Sequence, residues 1–105
     1  MQVNRRSIAI AREWTIKAEN DFKAASHTLK ISRGCPTDIV CFHAQQCVEK
    51  YLKAFLVIKN IDFPRTHDIE YLVSLLPENI WLRLSIEEQR RLTAYATVTR
   101  YPGDY

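Results

Sequence analysis

Gln46, Glu49, Lys50 and Lys53 follow one another at three- and four-residue steps, the spacing that brings side chains together along one edge of a helix. An amide, an acid and two amines in such a row have two readings. One is a solvated edge on which Glu49 and Lys53, four apart in the favoured orientation, form an intrahelical pair worth about 0.3–0.5 kcal/mol. The other is the lining of a groove where a second copy or a nucleotide binds. A second candidate is Arg100 with Tyr101. Arginine offers a planar fork to phosphate and tyrosine can stack a base, while an arginine at a helix C-terminus also suits the dipole and the last carbonyls with no ligand. His67 lies in Thr66-His67-Asp68. Its pKa range fits general acid–base work, but the plainer reading makes the three residues a cap for the helix that follows. His43 reads as a partly buried, hydrogen-bonded imidazole.

The elements that must position these residues are helices. The chain has 105 residues, 47% hydrophobic and 26% charged, the composition of one ordinary globular domain. Two glycines and four prolines are too few for an all-β chain, which needs a turn every 8–12 residues or so. A first helix is predicted from about Asn4 to Ile31, with Ile10, Trp14, Ala18, Phe22, Ala25 and Leu29 as its buried stripe and Arg12, Lys17, Glu19, Lys23 and Lys30 as its solvated face. Gly34 in a left-handed conformation and Pro36 end it. A second helix spans about Thr37 to Lys59, capped by Thr37 or Asp38, with Val40, Ala44, Cys47, Val48, Tyr51, Leu52 and Phe55 as its apolar face. After a loop over 60–65, a short third helix runs from about Asp68 to Leu76. Ser85 and Glu88 form a capping box that starts a fourth helix reaching about Arg100. Trp14 and Trp81 read as core or interface anchors.

Short connections between helices imply antiparallel packing. A helical domain of 105 residues has limited burial, so a homodimer is expected to cover apolar surface on the long helices. The formal charge of +3 and a pI near 8.9 are compatible with RNA or nucleotide binding without demanding it. Cys35, Cys41 and Cys47 lack CxxC spacing, which argues against a zinc site or disulfide framework and for a reducing, cytoplasmic setting. Cys47 reads as a small core residue. Neither a signal peptide nor an apolar run near 20 residues is visible, so no membrane role is expected. The three histidines lie in separate segments and the glycines are isolated, so neither a metal ligand set nor a phosphate-cradling loop, and hence no cofactor, is expected.

Four segments in order carry a likeness to a known family: Ala18-Glu19-Asn20-Asp21-Phe22-Lys23-Ala24-Ala25, the helix-two stretch from Cys41 to Ala54, Thr66-His67-Asp68-Ile69-Glu70-Tyr71-Leu72, and Arg100-Tyr101-Pro102-Gly103. Together they resemble the HEPN domain family (higher eukaryotes and prokaryotes nucleotide-binding). The resemblance implies an all-α up-and-down bundle of about four helices, usually dimeric. It also implies a partner: such domains are often encoded beside a minimal nucleotidyltransferase, as two-component toxin–antitoxin modules. Many active members are metal-independent endoribonucleases whose motif is an arginine followed four to six residues later by a histidine. Here Arg100 is followed at those steps by Asp104 and Tyr105, and no arginine of the chain has a histidine there. Two functions follow as expectations. The first is a binding module that docks the nucleotidyltransferase and contacts nucleotide or RNA through Arg100, Tyr101, Gln46, Glu49, Lys50 and Lys53. The second is an atypical ribonuclease with Arg100 on the scissile phosphate and His67 as base.

Overall fold

The computed structural model describes residues 4–98. They form four helices, α1 (Arg5–Leu29), α2 (Thr37–Ile58), α3 (Ile69–Ser74) and α4 (Ile86–Val98), with no strand among the described residues. The chain folds as the expected all-α bundle.

Local chemistry explains most boundaries. Asn4 caps α1, its side chain accepting from the Ser7 amide at 2.7 Å. Gly34 takes φ +66 after the helix, as its place in the turn requires. Asp68 caps α3 by accepting from the Tyr71 amide at 3.1 Å. Ser85 and Glu88 bond reciprocally at the start of α4, at 2.9 and 3.1 Å. The Ser85 amide at Glu88 holds that carboxyl below its usual range. The start of α2 differs from the expectation: Pro36 is the N-cap and no side chain caps it. Asp38 instead sits in the first turn, where its charge suits the dipole.

Helices α1 and α2 run antiparallel, since Ser7 meets Asn60, Trp14 meets Lys53, and Asp21 meets His43 and Lys50. The inward positions of α1 are Ser7, Ala11, Trp14, Ala18, Asp21, Ala25 and Thr28, alternating four- and three-residue steps as in a coiled-coil seam. This corrects the expected stripe. Phe22 is 62% exposed and Leu29 64%, because alanine, serine and threonine let the two helices approach closely and a large side chain on that line would hold them apart. The apolar core lies on the other side of α2. Leu52, Leu56, Ile69 and Leu72 form it, with Val48, Phe63, Leu76, Leu82 and Leu92 packed around them. Thr93 of α4 accepts from the Ile69 amide at 2.8 Å, which ties α4 to the first turn of α3. Helix α1 packs on α2 and on neither α3 nor α4.

Trp81 is 77% exposed, so it is not a core anchor; it lies beside Arg83, 5.7 Å from ring centroid to guanidinium carbon. Among the described residues no helix is long and apolar enough to cross a membrane.

Leu56 is fully buried at the centre of the α2–α3–α4 core. Leu56→Ala is therefore expected to lower unfolding free energy by about 2–5 kcal/mol. Trp81→Ala should stay within about 0.5 kcal/mol, with urea denaturation at matched protein concentration as the check.

Candidate functional site

The polar row of α2 is not a solvated edge. Gln46, Glu49 and Lys53 are 6%, 2% and 5% exposed, and Lys50 is half-buried. Of the two readings offered by spacing alone, the wet surface pair is corrected: α1 and the loop before α3 close over the row. Neighbouring Gln45, fully buried, completes it.

Two carboxylates organise the interior. Glu49 accepts from Lys53 Nζ at 2.9 Å on one oxygen. Its other oxygen accepts from Gln45 Nε2 at 2.8 Å and faces His67 Nδ1 at 2.9 Å. Gln46 Nε2 donates to the Gln45 side-chain oxygen Oε1 at 2.6 Å. The Lys53 ammonium also lies over the rings of Trp14 and Phe63, 5.3 and 6.0 Å from their centroids. Burial alone would push the Glu49 carboxyl upward, but hydrogen bonds from Lys53, Gln45 and His67 and the ammonium charge outweigh it and hold the pKa below the usual range. The second carboxylate, Asp21, comes from α1. It faces His43 Nδ1 at 2.7 Å and accepts from Lys50 Nζ at 2.5 Å. Among the described residues no buried side-chain polar atom lacks a partner.

An ionised carboxylate only accepts, so the Nδ1 of each histidine must be the donor. In the neutral imidazole this leaves Nε2 as the basic nitrogen, the arrangement by which a carboxylate presets a histidine for proton transfer. His67 is the more accessible of the two, with its side chain 53% exposed against 29% for His43. His67 therefore does not cap α3. Asp68 caps it, and Thr66 accepts from the Asp68 amide at 3.1 Å, which leaves the imidazole free to reach Glu49. His43 is the partly buried, bonded histidine its position suggested.

Cys47 is buried as expected. Burial first, and then the Asp21 charge, push its thiol upward, so it stays protonated and inert at neutral pH. Arg100 and Tyr101 lie outside the described residues. Sequence reasoning gave no role to Asp21 or Gln45; the available signal was the alternating four-and-three spacing of α1, which places Asp21 on the seam. Among the described residues no group of three His, Cys, Asp or Glu side chains is placed to hold a metal ion.

Much of the apolar face of α2 turns away from α1. It opens into a groove of about 350 Å³ lined by Val48, Tyr51, Leu52, Phe55, Leu76, Ile80, Leu82 and Leu84. A second hollow of about 330 Å³, between Phe22, Ala25 and Leu29 of α1 and Val40, Ala44, Cys47 and Val48 of α2, meets it at Val48.

Residues 11–105 match the sequence model of the HEPN domain family. Comparison with curated proteins and with solved structures gave no match.

Removing one partner of the buried pair leaves the other uncompensated. Glu49→Gln is expected to cost about 3–5 kcal/mol, and Glu49→Leu with Lys53→Met to recover most of that loss, as chemical denaturation of the single and double variants will read out. The folded pKa of Glu49 lies below the unfolded value of about 4.3. Its contribution is thus complete above about pH 4.3 and lost as pH falls through the lower folded value. The acid limb of a stability–pH profile should flatten in Glu49→Gln.

Proposed function

Because the chain belongs to the HEPN domain family, we propose that it is a dimeric, nucleotide- and RNA-associated helical module that partners a minimal nucleotidyltransferase in a toxin–antitoxin-type pair. The observation that carries the partner half of this reading is the open apolar groove along α2. Tyr51 is 43% exposed in it, and a surface of this kind is covered by protein more often than left to water. The nucleotide half rests on the family and on Arg100 and Tyr101, whose side chains suit a phosphate and a base. In this reading the α2 row splits its work. Gln46, Glu49 and Lys53 stiffen the seam from inside, while half-buried Lys50, the member closest to solvent, balances Asp21 and would have to leave it to meet a ligand.

A second reading, a metal-independent endoribonuclease, is favoured by one specific observation: the Nδ1 of His67 is fixed on buried Glu49 at 2.9 Å. The Nε2 would take the proton of a ribose 2′-hydroxyl, the 2′-oxygen would attack phosphorus, and the bond to the 5′-oxygen would break. The departing oxygen collects a proton from solvent, and Arg100 would neutralise charge developing on the phosphate. Glu49 acts through His67 as a positioning residue.

Three measurements test these readings. Light scattering at micromolar concentration should give twice the chain mass of 12.3 kDa, and Tyr51→Glu should give the monomer mass; a monomeric native protein removes the dimer. Co-expression with the minimal nucleotidyltransferase of the same genome should yield a complex that survives size exclusion, and separate elution of the two proteins sinks the partner reading. Cleavage of a mixed-sequence RNA in EDTA, lost in both His67→Gln and Arg100→Ala, would select the ribonuclease; no cleavage leaves the binding module.

A further inference from the structure

Helix α1 carries its charge on the side turned away from α2. Arg5, Arg12, Lys23 and Lys30 stand 7, 11 and 7 residues apart, close to two, three and two whole turns, so they share one line along the helix. All four are exposed, and so are Arg6 and Lys17 on the same helix and Arg33 in the turn after it. Among the described residues the ion pairs join His43 and Lys50 to Asp21, Lys53 and His67 to Glu49, and Arg90 to Glu70. None of the seven cations of this flank takes part. The exposed acids of α1 are Glu13 and Glu19, since Asp21 is buried. Seven cations against two acids leave +5 on this flank, while the other eight cations and ten acids leave −2, for the chain total of +3. The net positive charge of the protein is therefore concentrated on α1 and the turn that follows it, and α1 meets neither α3 nor α4.

We propose that the outer face of α1 is a docking surface for the phosphodiester backbone of RNA, with Arg5, Arg12, Lys23 and Lys30 neutralising successive phosphates. At 1.5 Å rise per residue the line is about 37 Å long, with cations about 10 to 16 Å apart. A single phosphate or mononucleotide meets one of them at a time; a polyanion meets all four together. A lipid surface fits less well. A membrane-bound amphipathic helix needs an apolar face to sink into the bilayer. The inward face of α1 is closed against α2, and its exposed apolar side chains do not form one face: Phe22 and Leu29 border the second hollow, whereas Ile8 and Ile16 stand among the charges. The inference rests on the RNA-associated reading above and adds a surface which that reading does not use.

The test is fluorescence anisotropy of labelled mixed-sequence RNA, single-stranded and duplex, with the full chain over a salt series. Arg12→Glu, Lys23→Glu and Lys30→Glu together should weaken binding at least tenfold at low salt and reduce the slope of log affinity against log salt by about 2, at about 0.7–0.9 per phosphate contact. A control with the same change in net charge, Arg65→Glu with Arg83→Glu and Arg91→Glu, should lose less than threefold. The corresponding glutamine triple on α1 should lose affinity in the same direction, with helicity checked by circular dichroism. Equal loss in the two glutamate triples would reduce the effect to net charge and overturn the proposal. It would also be overturned if the native chain failed to bind RNA at low salt, or if it bound anionic vesicles and not RNA. Loss in Arg100→Ala with affinity kept in the α1 triple would overturn the α1 surface while leaving the proposed function standing.

Discussion

The rest of the architecture depends on how the Glu49 carboxylate is kept out of water. A buried ionised carboxylate costs several kcal/mol unless donors replace its hydration, and here the donors come from two segments. Lys53 and Gln45 approach from one turn on either side along α2, and His67 from the loop before α3. Trp14 of α1 then lies against the ammonium of Lys53. One charge thereby fixes the distance of α1, the path of the loop after α2 and the place where α3 begins. A second carboxylate, Asp21, repeats the device further along the seam from the opposite helix. Such pairs are weak sources of stability compared with apolar packing, but they discriminate strongly between registers. A slip of one turn between α1 and α2 would separate Asp21 from His43 and Lys50 and leave it buried without a counter-charge.

This division frees the apolar side of α2. In most amphipathic helices the polar face meets water and the apolar face meets the protein. Here the α1–α2 seam holds small residues and paired polar groups, whereas the apolar residues of α2 divide between the Leu52–Leu56–Ile69–Leu72 core and the open groove. The molecule thus presents two faces of different character: the groove, with Tyr51 and Phe55 along it, and the outer side of α1, with its unpaired cations. A protein partner on the first and a polyanion on the second would not compete for the same helix face.

The element boundaries were legible because they rest on local chemistry. Asn4, Asp68 and the Ser85–Glu88 box bond amides three residues away, and Gly34 acts through its own φ. Such bonds need no tertiary partner, so sequence alone announces them. The four motifs behind the family resemblance were legible in the same way. The exposed face of α1 was also read correctly, since Arg12, Lys17, Glu19, Lys23 and Lys30 have no means of being buried together.

What the sequence by itself determined, then, is the number of helices, most of their ends, the family and the charged side of α1. What only the tertiary structure decided is which way the two long helices face. Periodicity marks an apolar stripe on each, but the stripe does not say whether its occupant is another helix or an open groove. The contact went to Ala11, Ala18 and Ala25 because close approach needs small side chains, and Phe22 and Leu29 were left at the rim. Likewise Glu49 and Lys53 at four-residue spacing read the same on a wet surface or inside a seam, because i,i+4 geometry belongs to the helix alone. Their burial depends on Trp14, His67 and Phe63, residues 35, 18 and 14 positions from Glu49 in the chain, and no local rule brings those together.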